Sequence, residues 1–309
     1  MNEALSKLAD DFFKNTLNSS PTSAIMRGYR EYFDQIEELT EARFDQNLKD
    51  LDKFEKRLNE IDFNNLSNKE KVTHGMLEYA FGSNKDSLLD KSWEFGAGVS
   101  GFTGYLIDYN QQMFIPDLES ADLLLKRLEL YNQFFNQVSA VQKKGLDNNR
   151  VATERNLLRT IDQIESYLKT SLESDPLLLV NFSPEISEED VNSWKDKAKF
   201  IIESYVRPSV NSYLEQLKSE HLPKGRSDTN PGIMWIDGGE DIYLRSLRKF
   251  TGNKDITVKE VHETGLSEIE RLKKEFFDIG KNVFEDVTTP EEVISKMPVS
   301  YTHLRAHET

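Results

Sequence analysis

The chain has 309 residues, 37% of them hydrophobic and 30% charged, no cysteine, and a formal charge of −15. The missing thiols exclude disulfides, thiolate metal sites, iron–sulfur clusters and a cysteine nucleophile, and the negative field argues against nucleic acid and anionic membrane surfaces as partners. The length suffices for a large buried core, and the first residues, Met1 to Phe13, lack the basic start and unbroken apolar stretch of a signal peptide, so a cytoplasmic location is expected.

Apolar residues recur at spacings of three and four along most of the chain, which predicts a mainly α protein, a multi-helix array of amphipathic helices. Phe44, Leu48, Leu51, Phe54 and Leu58 mark the first clear stripe. The segment Phe95 to Gly104 is glycine-rich and reads as a turn-rich loop between helical groups. It satisfies G-x-G-x-x-G over Gly96–Gly101, but no buried β-branched strand precedes it, as a dinucleotide fold requires.

Ala121, Leu124, Leu128, Tyr131, Phe135, Val138 and Val141 form one continuous stripe, with Gly145 as its expected stop. Leu157, Ile161, Ile164, Leu168 and Leu172 form the next, before Asp175-Pro176. Ser187-Glu-Glu-Asp190 reads as a helix cap, followed by Val191, Trp194, Ala198, Ile201, Tyr205, Tyr213 and Leu217 on one face. Pro208 inside that run predicts a kink or break, and Pro223-Lys-Gly225 ends it. Gly232 to Ile236 reads as a short extended piece.

Asp237-Gly-Gly-Glu240 has the form of a capping box. Two glycines in a first helical turn cost about 1 kcal/mol each in propensity, so a close backbone approach or an unusual dihedral is expected there. Ile242, Tyr243, Leu247 and Phe250 supply the apolar face of the helix, and Gly252 ends it. A second box, Thr257-Val-Lys-Glu260, opens a helix with the stripe Val258, His262, Gly265, Ile269, Leu272, Phe276 and Ile279.

The histidines are weighed one by one. His74 reads as a partly buried helical residue, and His221, at a helix end, as a surface residue favoured by the helix dipole. His262 falls on the inward face, one turn from a glycine, either as a buried structural histidine or as a functional one. His303 and His307 stand at i and i+4, a spacing suited to zinc. The adjacent Glu308 follows the second histidine rather than the first, and Pro298–Thr309 resembles a translated sequencing-adapter read-through. Residues 298–309 are therefore read as a non-native tail, and 1–297 as the N-terminal helical region of a larger domain. No nucleophile-elbow sequence supports a serine triad.

The combination of Gly238-Gly-Glu-x-x-Tyr243 with Thr257-x-x-Glu-Val-His262-Glu-x-Gly265-Leu-x-Glu-Ile resembles the bacterial "domain of unknown function 885" family. The match is close over Gly238–Ile279 and looser over Ser23–Lys296. What the resemblance implies is a mostly helical fold related to zinc metallopeptidases, hydrolysing peptide or small amide substrates with a metal-activated water. It also implies a His-Glu-x-x-x-Gly-His-His element in the C-terminal half, which has no counterpart in residues 1–297. Zinc is thus implied for the intact parent, with no metal ligand or catalytic residue in this chain. Gly238, Gly239, Tyr243, His262 and Gly265 match family positions and are expected to shape the wall of a substrate cleft. The alternative is a helical binding or scaffold module, complete in itself and without catalysis.

Overall fold

The computed structural model describes residues 2–96, 110–284 and 286–297, with the side chain of Gln111 left out. The glycine-rich stretch beyond Gly96 and the tail 298–309 lie outside the described residues. Two compact units divide the chain, residues 1–242 and 243–309.

The first unit is built from helices whose starts are written in the sequence. α1 (Glu3–Ser19), α3 (Glu41–Asn59) and α4 (Asn68–Asp90) open on Asn2, Thr40 and Ser67, whose side-chain oxygens accept from first-turn backbone N–H groups. Each such cap is worth about 1 kcal/mol. Ser67 and Glu70 form a full capping box, and the hydrogen bonds from the Ser67 hydroxyl and backbone hold the Glu70 carboxyl at a pKa of about 2. These helices share one core, in which Leu5, Leu8, Leu51, Phe54, Leu58, Leu77 and Phe81 are buried. Phe12 meets Phe81 edge-on at 4.7 Å and Phe54 at 5.6 Å.

A larger core lies among α2 (Pro21–Met26), α5 (Leu118–Glu129), α6 (Tyr131–Asp147), α7 (Glu154–Lys169), α8 (Glu188–Ile201) and α9 (Arg207–Gln216). At roughly 1.5–3 kcal/mol for each fully buried large apolar side chain, residues such as Leu124, Phe134, Phe135 and Leu157 dominate its stability. Polar ties fix the packing. Trp194 donates to the Ala121 carbonyl at 2.8 Å, and the Tyr213 hydroxyl donates to Gln142 Oε1 at 2.9 Å. A two-residue parallel pair, β1 (Phe114–Ile115) with β2 (Asn181–Phe182), stitches the loops before α5 and α8.

Four expectations are corrected. The stripe from Ala121 to Val141 is divided between α5 and α6, because the helix breaks at Leu130. Gly145 does not stop α6. It lies inside the helix, and the stop comes at Asn148 and Asn149, the latter with φ 53°. Of the kink or break expected at Pro208 the break is absent, since a π-helical turn, Ile202–Val206, joins α8 to α9 and a second, Leu217–His221, continues it. The wide turn adds a residue to the register, so Val206 points into the core and Tyr205 is left 43% exposed. Ile233–Trp235 is a 3₁₀ turn rather than an extended piece.

The second unit takes in α10 (Gly239–Thr251) from Tyr243 onward, α11 (Val258–Val283) and a short helix over 290–297. Gly252, with φ 66°, ends α10, and Thr257 with Glu260 caps α11 by the expected box. Within this unit Gly280 lets Val293 close on α11, because a Cβ there would lie 2.6 Å from Val293 Cγ1. The apolar stripe of α11, Val258, Ile269, Leu272, Phe276 and Ile279, is exposed. His262, expected to face inward, is exposed with it.

Candidate functional site

Two arginines of the first unit hold the stretch that leads into Gly238 and Gly239, Arg150 at Asp237 and Arg226 at Asn230 and Gly232. Arg150 follows the α6–α7 turn, where Asn149 reverses the chain in the left-handed region. Its Nε stands 2.8 Å from Oε2 of Glu94, a carboxylate only 4% exposed, and the guanidinium lies 5.1 Å over the Phe95 ring. From that position Nη1 donates to the Asp237 carbonyl at 3.1 Å, and Nη2 donates to the Asp90 carbonyl. Asn149 Nδ2 donates to Asp237 Oδ1 at 3.0 Å. Asp237 is therefore anchored to the α6–α7 turn, and Gly238, whose carbonyl accepts from Ile242 N at 3.1 Å, is the residue that precedes the first helical turn.

Arg226 performs the same task upstream. Its Nε donates to the Val151 carbonyl at 2.9 Å, and Nη1 donates to the carbonyls of Asn230 and Gly232 at 2.9 and 2.7 Å. Burial lowers its pKa from the usual value, yet a guanidinium stays charged at neutral pH.

Three glycines make this junction close. Gly238 has φ 73°, a conformation that disfavours any side chain. A Cβ on Gly239 would stand 2.7 Å from the Ile233 carbonyl carbon and 2.9 Å from Met234 Cα. A Cβ on Gly145 would stand 2.8 Å from the carbonyl carbon of Glu94. The expectation of a close approach and an unusual dihedral at the double glycine thus describes both residues, one each.

Beside Glu94 lies a cavity of about 130 Å³, lined by Phe44, Lys91, Trp93 and Lys144. The Phe44 and Trp93 rings stack at 3.7 Å, and Lys144 pairs with Glu41. Among the described residues no group of three or more His, Asp or Glu side chains is placed to hold a metal ion.

The five sequence-predicted residues fall in both units. Gly238 and Gly239 belong to the first, and Tyr243, His262 and Gly265 to the second. Tyr243 is exposed, and His262 and Gly265 lie one turn apart on the exposed face of α11. Gly265 has open space around its Cβ position among the described residues, so it marks no close approach. Arg150, Glu94 and Arg226 were not foreseen, since a lone arginine after Asn148-Asn149 and a glutamate before a glycine-rich loop carry no spacing signal.

His221 was expected at the surface and is instead buried, 2% exposed, at the end of the second π turn. Burial lowers its pKa below the usual histidine value, and Nδ1 lies 3.4 Å from the Gln216 carbonyl. His74 is half-buried, as expected, with its ring edge-on to Phe63. Among the described residues no helix is long and apolar enough to cross a membrane.

Comparison with curated proteins gives no match. A solved structure titled "The crystal structure of the putative lipoprotein from Colwellia psychrerythraea" superposes with a TM-score of 0.74 at 16% identity, over 96% of this chain and 54% of that one. At that identity the likeness concerns the fold, and the chain spans about half the length of this neighbour. The family described as "Bacterial protein of unknown function (DUF885)" matches residues 21–308. The chain belongs to the bacterial DUF885 family.

Proposed function

We propose that residues 1–297 are the helical scaffold and part of the substrate cleft of a zinc-dependent peptide or amide hydrolase, with the metal ligands supplied by residues outside this range. The observation that carries the reading is the rigid hold on the family motif. Gly238 and Gly239 are fixed by the buried Glu94–Arg150 pair and by contact with Ile233, as a cleft wall requires. The exposed stripe of α11 adds support, because a 26-residue amphipathic helix gains most of its stability by covering its apolar face. A cytoplasmic location belongs to the same proposal.

Calorimetric titration of the chain with zinc tests the metal assignment. No tight stoichiometric site is expected, and a 1:1 site on this chain would overturn it. The cleft assignment is tested in a family member that carries the His-Glu-x-x-x-Gly-His-His element. Alanine at the glycine matching Gly239 should lower peptide hydrolysis there, and unchanged turnover would remove the cleft role.

A second reading, a non-catalytic binding or scaffold module, is favoured by the two closed cores of residues 1–242. It requires one cooperative melting transition and little binding of hydrophobic dye. Self-association or strong dye binding by the chain favours the first reading instead.

A further inference from the structure

The Gly232 carbonyl joins a cation to an apolar surface. It accepts from Arg226 Nη1 at 2.7 Å and from the Trp235 backbone N–H at 3.2 Å. A Cβ on Gly232 would stand 3.6 Å from Met234 Cγ and 3.9 Å from Trp235 Cδ1, so both side chains lie against this glycine. Both are exposed. They stand on a turn that Gly239 holds from the other side through its close contact with the Ile233 carbonyl.

Arg226 brings an unmet charge to the same place. Its Nε and Nη1 are used on the carbonyls of Val151, Asn230 and Gly232, while Nη2 has no acceptor among the described residues. The side chain is half-buried, yet Nη2 still reaches solvent. No carboxylate among the described residues pairs with this guanidinium. Asp228, two residues on, faces Arg155 instead, whose Nε lies 3.3 Å from Oδ2. Burial lowers the pKa of Arg226, and no neighbouring charge offsets the shift. A cation that is partly desolvated and already fixed binds an anion more strongly than a mobile one in water, since less solvation and side-chain freedom are lost.

We propose that Arg226 and the Met234–Trp235 pair form a subsite for the C-terminal residue of a peptide, one with an apolar side chain. Nη2 donates to the terminal carboxylate in a charge-assisted hydrogen bond, and the side chain lies against Met234 and Trp235. A peptide C-terminus carries its free carboxylate and its side chain on one carbon, as the cation and the apolar pair here meet at one carbonyl. A phosphate, or an internal aspartate, brings the charge without the apolar group. All these residues belong to the first unit. The inference deepens the cleft reading given above and rests on it.

The test is an NMR titration of the full chain at constant ionic strength, read at the Trp235 indole N–H and the Arg226 Nε–H. The probes are the peptide Ala-Ala-Ala-Leu, its C-terminal amide, acetate and inorganic phosphate. Saturable shifts of both groups are expected with the free peptide acid. The amide, which lacks the charge, and acetate and phosphate, which lack the side chain, should each bind at least tenfold more weakly. Met234→Asp sets a carboxylate at an exposed position beside the guanidinium without touching its grip on the three carbonyls. It should weaken binding at least tenfold, with the melting transition unchanged. The subsite is overturned if the peptide acid gives no saturable shift, if the amide or phosphate binds as tightly, or if folded Met234→Asp binds like the parent. Failure of the hydrolase reading has a different mark, absent turnover in a family member with the metal element, and it leaves peptide-acid binding to this chain unchanged.

Discussion

Arg150 Nε lies 2.8 Å from Glu94 Oε2, joining the end of the 3₁₀ turn after α4 to the α6–α7 turn, and both side chains are largely enclosed. The guanidinium has one face over Phe95 and its remaining nitrogens on the backbone carbonyls of Asp90 and Asp237. One residue therefore fixes three separate stretches of chain, including the one that leads into Gly238 and Gly239.

Removing one member of this pair strands the other. Arg150→Met should destabilise the first unit by about 3–5 kcal/mol, because Glu94 is left buried and uncompensated. The double variant Glu94→Leu with Arg150→Met should recover part of the loss. Urea denaturation measures both, and an equal loss in single and double variants would argue against a buried-charge origin.

The glycines of the motif should separate by mechanism. Gly239→Ala forces a Cβ into Ile233 and should cost about 2 kcal/mol or more, in the range of overpacked sites. Gly265→Ala meets open space inside a helix and should stabilise by about 0.5–1 kcal/mol. Thermal melts of the two variants should therefore shift in opposite directions.

His221 makes stability depend on pH in a definite sense. Burial lowers its pKa in the folded state, so the unfolded chain takes up the proton first. The stability tied to the neutral ring is complete above the ordinary value of about 6.5 and is lost as pH falls through the folded pKa. His221→Gln should flatten the stability profile below that pH. A profile unchanged by the substitution would show that the ring is not protonation-sensitive in the fold.

The stripe of α11 should behave as an exposed apolar surface. Leu272→Glu and Phe276→Glu together should reduce hydrophobic-dye binding and self-association with a stability change of less than about 1 kcal/mol, as at surface positions. A large loss of stability would mean that the stripe is covered in solution.

The helices were legible because their signals are local. Ser187 and Thr257 each cap a helix through hydrogen bonds within three residues, and the stripes follow from the helical period alone. Most stripe residues before Tyr243 are buried where the period puts them, up to the π turn that shifts Tyr205 outward. The double glycine was legible for the same reason, since glycines that a helix start disfavours signal a backbone need. His221 was not, because its burial depends on what packs over the end of the π turn.

By itself, then, the sequence determined that the chain is helical, that helices begin after Ser187 and Thr257, and that Gly238 and Gly239 serve the backbone, because these depend on dihedral preference and hydrogen bonds between near neighbours. Only the tertiary structure decided that Gly145 admits Glu94, that Arg150 reaches Asp237, and that Arg226 reaches Val151. The two arginines stand 87 and 75 positions from those partners. Such meetings arise from how helix faces pack, which no local spacing encodes.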